Sequence, residues 1–204
     1  MNDLAEAFGD IDIYLFDQLL RGRITTRDRV FDAGCGWGRN LVYLLRGGFD
    51  VYAADPDPDA IAAVRDLARS LAPHLPEDRF ELAPVERSSL ADGSMQVVIS
   101  SAVLHFARSD AEFDAMLAGG WRVLARGGMF FCRLASTIGI ESRVTPLGAE
   151  PRRFRLPDGT DRYLVDEAML VARTRALGGR LIDPIKTTVV QDQRAMTTWV
   201  VRKD

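Results

Sequence analysis

Short apolar runs alternate along the chain with stretches of helical spacing. The runs are "RVFDAG" (29–34), "DVYAAD" (50–55), "MQVVIS" (95–100) and "GMFFCRL" (128–134). They read as strands covered on both faces, because a parallel sheet between two helical layers has no solvated face. Between them, "NLVYLLRGG", "DAIAAVRDLARSL" and "DAEFDAMLAGGWRVL" repeat apolar residues three and four apart, as one helix face does. This alternation predicts a mostly parallel α/β sheet with helices on both faces. The glycine pairs at 47–48, 119–120 and 127–128 are expected to supply left-handed caps or turns. "PDPD" (56–59) should stop the second strand and cap the following helix.

The C-terminal part departs from the alternation. "RLIDPIKTTVV" and "AMTTWVVRK" are rich in β-branched residues and joined only by "QDQR" (191–194). That predicts an antiparallel hairpin, since a parallel pair needs a longer crossover. "DEAMLVARTRALGG" (166–179) reads as a helix, and residues 136–163 as a long irregular loop of the kind that carries function. The N-terminal "FGDIDIYLFDQLLRGR" has helical spacing, with Tyr14 and Gln18 one turn apart on one face. It is expected to fold over a ligand as a lid; the alternative is a helix packed on the sheet edge.

The chain has 204 residues, 47% of them hydrophobic, which suits one sizeable core. The expected organisation is a single domain over 1–204. It comprises a helical lid (1–28), a ligand-binding core (29–135), a substrate loop (136–163) and a C-terminal helix with hairpin (164–204). The chain opens "MNDLAEAF", and no apolar run approaches the roughly 20 residues that span a bilayer. A cytoplasmic protein without membrane contact is expected. Cys35 and Cys132 match neither a metal-ligand nor a disulfide spacing, so no metal is expected. The net charge of -3 argues against an electrostatic grip on nucleic acid. Charge is uneven, however: residues 1–100 hold 10 basic and 17 acidic side chains, the remainder 16 and 12. A basic second half favours an anionic small-molecule partner.

"VFDAGCGWGRN" (30–40) sets Gly34, Gly36 and Gly38 at every second position after a strand. Bare backbone at a strand-to-helix turn lets a ligand lie against its amides. A dinucleotide fingerprint would need glycine where Arg39 stands. Asp32 would repel a pyrophosphate, yet it suits a ligand with an ammonium group, such as an amino acid. Asp55 closes the second strand, where a carboxylate can accept hydrogen bonds from both ribose hydroxyls. S-adenosylmethionine has both ends. The segment is followed by "VYAADPDPDAI", "DGSMQVVISSAVLHF" and "WRVLARGGMFFCRL", and the series resembles the successive motifs of class I S-adenosylmethionine-dependent methyltransferases over residues 29–135.

Within that family "GCGWGRN" with "FDVYAAD" is most similar to small bacterial enzymes of the tellurite-resistance and thiol-methylating type. The resemblance implies a Rossmann-like, seven-stranded sheet with a C-terminal antiparallel hairpin. It implies that Asp32 and the backbone of Gly34, Cys35, Gly36 and Gly38 hold the methionine part, and that Asp55 with Pro56 holds the ribose. Val85 and Glu86 would border the adenine, where many relatives carry an aspartate followed by a small residue. Ser101 would close the site after the fourth strand. Arg39 either pairs the methionine carboxylate or is an exposed first-turn residue, and Trp37 is expected to pack against the loop.

On the reacting side, His105 after the fourth strand is either a general base or a hydrogen-bonded turn residue. Arg152, Arg153, Arg155 and Arg162 lie in the 136–163 segment, and Arg194 in the hairpin turn. Tyr14, Arg155 and Arg194 are the candidate substrate contacts, and guanidinium groups there would favour an anionic acceptor. The alternative is a solvated loop of mixed charge. "SSAV" stands where enzymes that methylate base amino groups carry an Asn/Asp-Pro-Pro-aromatic tetrapeptide, which disfavours nucleic-acid substrates. The expected function is methyl transfer to a small molecule. The alternatives are a non-catalytic S-adenosylmethionine-binding regulatory or assembly protein and, more distantly, an NAD-dependent dehydrogenase.

Overall fold

The computed structural model describes residues 4–204. In chain order α1 (Leu4–Phe8) and α2 (Ile13–Leu20) precede β1 (Arg29–Ala33), α3 (Val42–Arg46), β2 (Asp50–Asp55), α4 (Pro58–Leu71), β3 (Phe80–Leu82) and β4 (Met95–Ser101). Then come α5 (Asp110–Val123), β5 (Leu124–Ser136), β6 (Thr145–Pro146), β7 (Arg153–Arg155) and β8 (Asp161–Tyr163). The chain ends with α6 (Glu167–Ala176), β9 (Gly179–Leu181), β10 (Lys186–Val190) and β11 (Arg194–Lys203).

The main sheet has the order β10-β11-β5-β4-β1-β2-β3. β1 to β5 run parallel. β11 lies antiparallel to β5 and turns back into β10, so the predicted hairpin forms. The sheet has one more strand than expected, because β9 pairs with the Val201–Lys203 end of β11. Side-chain alternation along each strand feeds two cores, one on each face. Phe31, Val98 and Phe130 point to the layer of α5 and α6 with Phe113, Leu117 and Leu170. Val30, Ile99 and Phe131 point to the opposite layer with Leu15, Leu44 and Val64.

Two readings of the sequence need correction. Residues 136–163 are only partly irregular: between their turns β6, β7 and β8 form a separate three-stranded antiparallel sheet. It has its own small core, in which Ile140, Leu156 and Leu164 pack on Ala135 and Ala195 of the main sheet. Gly119 and Gly120 do not end a helix but lie inside α5. Their role is close approach. A Cβ on Gly119 would stand 2.6 Å from the Cα of Glu86 and 2.8 Å from the carbonyl oxygen of Val85. Gly48 and Gly127 do take left-handed backbone conformations.

Gly119→Ala therefore tests whether α5 fixes the Val85–Arg87 turn. Alanine gains about 1 kcal/mol of helix propensity, but backbone cannot yield as a side-chain tip can, and overpacking costs about 1–3 kcal/mol. Urea denaturation of the variant should show a net loss of stability. A gain would mean that the turn moves freely.

Candidate active site

The carboxyl ends of β1, β2 and β4 open onto a cavity of about 590 Å³, a volume typical of small-molecule sites. It lies where the strand order reverses on either side of β1, the usual ligand position in such sheets. The turn Gly34–Gly38 forms one wall. Gly34 and Cys35 N–H both donate to the Ala54 carbonyl, at 2.8 and 3.1 Å. Gly36 N–H donates to Asp55 Oδ2 at 2.8 Å. Gly36 has φ +49°, and a Cβ built there would meet nothing within 4 Å, so its surface is open cradle. Gly38 faces away, and a Cβ there would come within 3.1 Å of Val64 and Leu67 on α4.

Cys35, Arg39, Asp55 and Pro56 line the cavity on the β1–β2 side. Val85, Glu86 and Ser101 line it from β3 and β4. Asp55 is no helix cap. Asp57 caps α4 by accepting from Asp59 N–H, while Asp55 Oδ1 accepts from Asp57 N–H at 3.0 Å. Cys35 is buried, and burial pushes its thiol well above the ordinary range. Trp37 does not pack against the loop; it is 69% exposed at the cavity mouth.

Asp32 lies buried beneath the turn rather than in the lining. Its Oδ2 has no hydrogen-bond partner among the described residues. Burial is the main reason its carboxyl is pushed up to about 8; Arg39 opposes the shift and Asp55 adds to it. An unsatisfied buried carboxylate oxygen beside an open glycine cradle fits a ligand with an ammonium end. Ala102, just past β4, has a left-handed φ of 64°, which costs a non-glycine residue of order 1 kcal/mol or more. Its N–H donates to the Arg133 carbonyl at 2.7 Å, so the strain is held by β5 at the cavity wall.

The four expected catalytic and substrate contacts are not brought to the cavity either. His105 is buried, and its Nδ1 accepts the Ala135 N–H at 3.1 Å. Burial, with a smaller contribution from Arg162, pushes its pKa down to about 4. It is the hydrogen-bonded turn residue of the two readings. Tyr14 donates to or accepts from Thr188 Oγ1 on β10 at 2.6 Å, and Gln18 donates to Asp183 at 3.0 Å. The helix α2 therefore packs on the hairpin edge, and no described residue before Gly34 lines the cavity. Arg155 is exposed and held by both carboxylate oxygens of Asp161, at 2.8 and 3.2 Å. Arg194 is exposed at the hairpin turn, near Asp158.

The sequence reading missed Asp12. Its buried side chain caps α2 by accepting from Tyr14 N–H at 3.0 Å. Its other oxygen accepts from Ser101 Oγ at 3.2 Å and Arg133 Nη1 at 3.0 Å. Ser101 Oγ in turn accepts from Arg39 Nη2 at 2.9 Å. An acid before a helix is legible as a cap; partners 89 and 121 residues away are not.

The description "Methyltransferase domain" matches residues 31–132. An uncharacterized methyltransferase of Synechocystis sp. is 27% identical over 107 residues, which are 52% of this chain and 47% of that protein. The matched region thus spans less than half the length of the curated relatives. Among solved structures, the Burkholderia thailandensis 1,6-didemethyltoxoflavin-N1-methyltransferase, with 1,6-didemethyltoxoflavin and S-adenosylhomocysteine bound, is 21% identical. It is similar over 93% of this chain and 75% of its own, with a TM-score of 0.68. A Methanosarcina mazei S-adenosylmethionine-dependent methyltransferase is 18% identical over 91% of this chain and 96% of its own, with a TM-score of 0.71. The family match covers half of the chain, and the chain belongs to the methyltransferase domain family.

Proposed function

We propose that the protein transfers the methyl group of S-adenosylmethionine to a small molecule. The observation that carries this reading is the open surface of Gly36, bonded to the pocket-lining carboxylate of Asp55, in a turn under which Asp32 is buried with an unpaired oxygen. Asp32 would take the ammonium end, Arg39 the carboxylate and Asp55 the ribose hydroxyls. The similarity of "GCGWGRN" to small-molecule enzymes of the tellurite-resistance and thiol-methylating type supports a small acceptor. When bound, the cofactor supplies a methyl on a sulfonium: the acceptor's electron pair forms the new bond to carbon, and the pair of the broken bond stays on sulfur as a neutral thioether.

The chain's own part is to hold and to exclude water. We assign His105 no part as a base: its Nδ1 already accepts the Ala135 N–H, it lies outside the cavity lining, and burial pushes its pKa down to about 4, which makes it a weak proton acceptor. An acceptor that is already ionised, or that loses its proton to water, needs no such group.

Calorimetry with S-adenosylhomocysteine tests the cofactor site, and absence of binding would overturn the reading. At pH 7 the Asp32 carboxyl still carries its proton, with its pKa near 8. Taking up an ammonium group should expel that proton. Binding at pH 7 should accordingly release close to one proton, read from buffers of different ionisation enthalpy. Affinity should rise from pH 6 toward 8, above which the ligand's amino group, ordinarily near 8, loses its charge. Asp32→Asn should bind at least about ten-fold more weakly, as loss of a charge-assisted bond costs about 1.5–3 kcal/mol. It should also lose the pH dependence.

A second variant tests the histidine. His105→Leu leaves the Ala135 N–H unpaired and should cost about 1–3 kcal/mol of stability. In the wild-type protein the unfolded chain binds a proton near 6.5 that the folded chain refuses until about 4. Stability therefore falls as pH drops through that window. The variant should lack this slope, whereas the shape of its kcat profile from pH 6 to 9 should match the wild type. A kcat limb that disappears with His105 would restore it as a base.

A further inference from the structure

Asp12 lines no part of the cavity, yet three residues that do line it are in contact with this one acid. The Asp12 N–H donates to Asn40 Oδ1 at 3.0 Å. Its Oδ2 accepts from Ser101 Oγ at 3.2 Å and stands 3.5 Å from Arg39 Nη2. The same Arg39 nitrogen donates to Ser101 Oγ at 2.9 Å, so acid, hydroxyl and guanidinium close a triangle. Its corners come from three separate stretches of chain: before β1, after β1 and the end of β4.

The Asp12 side chain has no exposed surface. A carboxylate so placed must be paired. Arg133 on β5 already does this: its Nη1 donates to Oδ2 at 3.0 Å, and its guanidinium lies 5.3 Å from the centre of the Tyr14 ring. Arg39 is therefore a second cation on an acid that one cation balances. The excess positive charge falls on the arginine that lines the cavity, whose side chain is 45% exposed. Arg39 is held at one nitrogen, and its Nε and Nη1 have no hydrogen-bond partner among the described residues.

We infer that Asp12 is a positioning residue of the cofactor site: directly and through Ser101, it sets the Arg39 guanidinium so that the free edge meets the ligand's carboxylate. The inference rests on the methyl-transfer reading, in which Arg39 takes that carboxylate. A long side chain fixed at one end of its fork has lost rotamer freedom before the ligand arrives, and its other edge still matches a carboxylate. The segment before β1 thus takes part in cofactor recognition from outside the cavity wall.

The test compares S-adenosylhomocysteine with its decarboxylated analogue, which keeps the ammonium, the thioether and the nucleoside. Calorimetry on the whole protein should show S-adenosylhomocysteine bound about ten-fold or more tightly than the analogue. Arg39→Gln should abolish that preference. Asp12→Asn keeps the side-chain size and an oxygen to cap α2. It should weaken S-adenosylhomocysteine about five-fold and leave the analogue's affinity unchanged; combined with Arg39→Gln it should add nothing. Ser101→Ala, at the residue bonded to both Asp12 and Arg39, should give the same one-sided loss in smaller measure, and it serves where Asp12→Asn does not fold. Asp183→Asn loosens the other fastening of the same segment and should leave the preference intact.

Equal weakening of both ligands by Asp12→Asn or Ser101→Ala would overturn the inference and leave Asp12 an acid that serves the fold alone. An undiminished preference in these variants, or full additivity of Asp12→Asn with Arg39→Gln, would overturn it as well. A wild-type protein that binds both ligands equally would take Arg39 off the carboxylate, and the inference would fall with it. Failure of S-adenosylhomocysteine itself to bind would instead overturn the methyl-transfer reading.

Discussion

At Gly34 the main chain runs between β2 and the segment after β4 with no space for even one methyl group. A Cβ there would come 2.6 Å from the Val103 side chain, and the Gly34 N–H is already committed to Ala54. This one close passage forces the turn to follow β2 rather than lift away from the sheet. Everything in the pocket depends on it. The turn brings Gly36 to Asp55, seals Asp32 beneath, and leaves Gly36 as an open face. Sealing Asp32 without a partner for Oδ2 costs the fold of order 1–3 kcal/mol. A cationic group entering the cradle offsets that cost, so the fold is strained in the place where a ligand would relieve it.

The layered sheet was legible because its strands are buried on both faces. "VFDAG", "VYAAD" and "VVISS" are short, largely apolar, rich in β-branched and aromatic residues, and alternate with longer stretches of helical spacing, as strands covered on both faces do. The hairpin was legible from its short connection, which is three residues long in the structure because Arg194 already pairs with Val190. What escaped the reading shares one physical cause: it is decided by partners distant in sequence. Gly119 looks like a cap in a single chain, yet it is a contact with Glu86, 33 residues earlier. The arginines of 152–162 look equivalent in the sequence, and only their partners, an acid for Arg152 and Arg155 and a backbone carbonyl for Arg153 and Arg162, tell them apart. His105 has the chemistry of a base by residue type; burial and the Ala135 N–H remove it. Asp12 shows its local bond to Tyr14 and hides its distant ones.

The fastening of α2 has a consequence for how the chain assembles. Asp12 is held by Ser101 and Arg133, and the other end of the helix segment, through Gln18 and Arg23, by Asp183. Leu15 and Ile24 are buried in a cluster built mostly from later strands and helices. This segment is therefore seated only after strands and loops that follow it in the chain. Until residues near 183 have been made, its apolar side chains lie open, a high-contact-order closure that is slow and exposed to aggregation. The amino-terminal segment acts as the clasp of the fold, shut only when synthesis of the carboxyl-terminal hairpin is nearly complete.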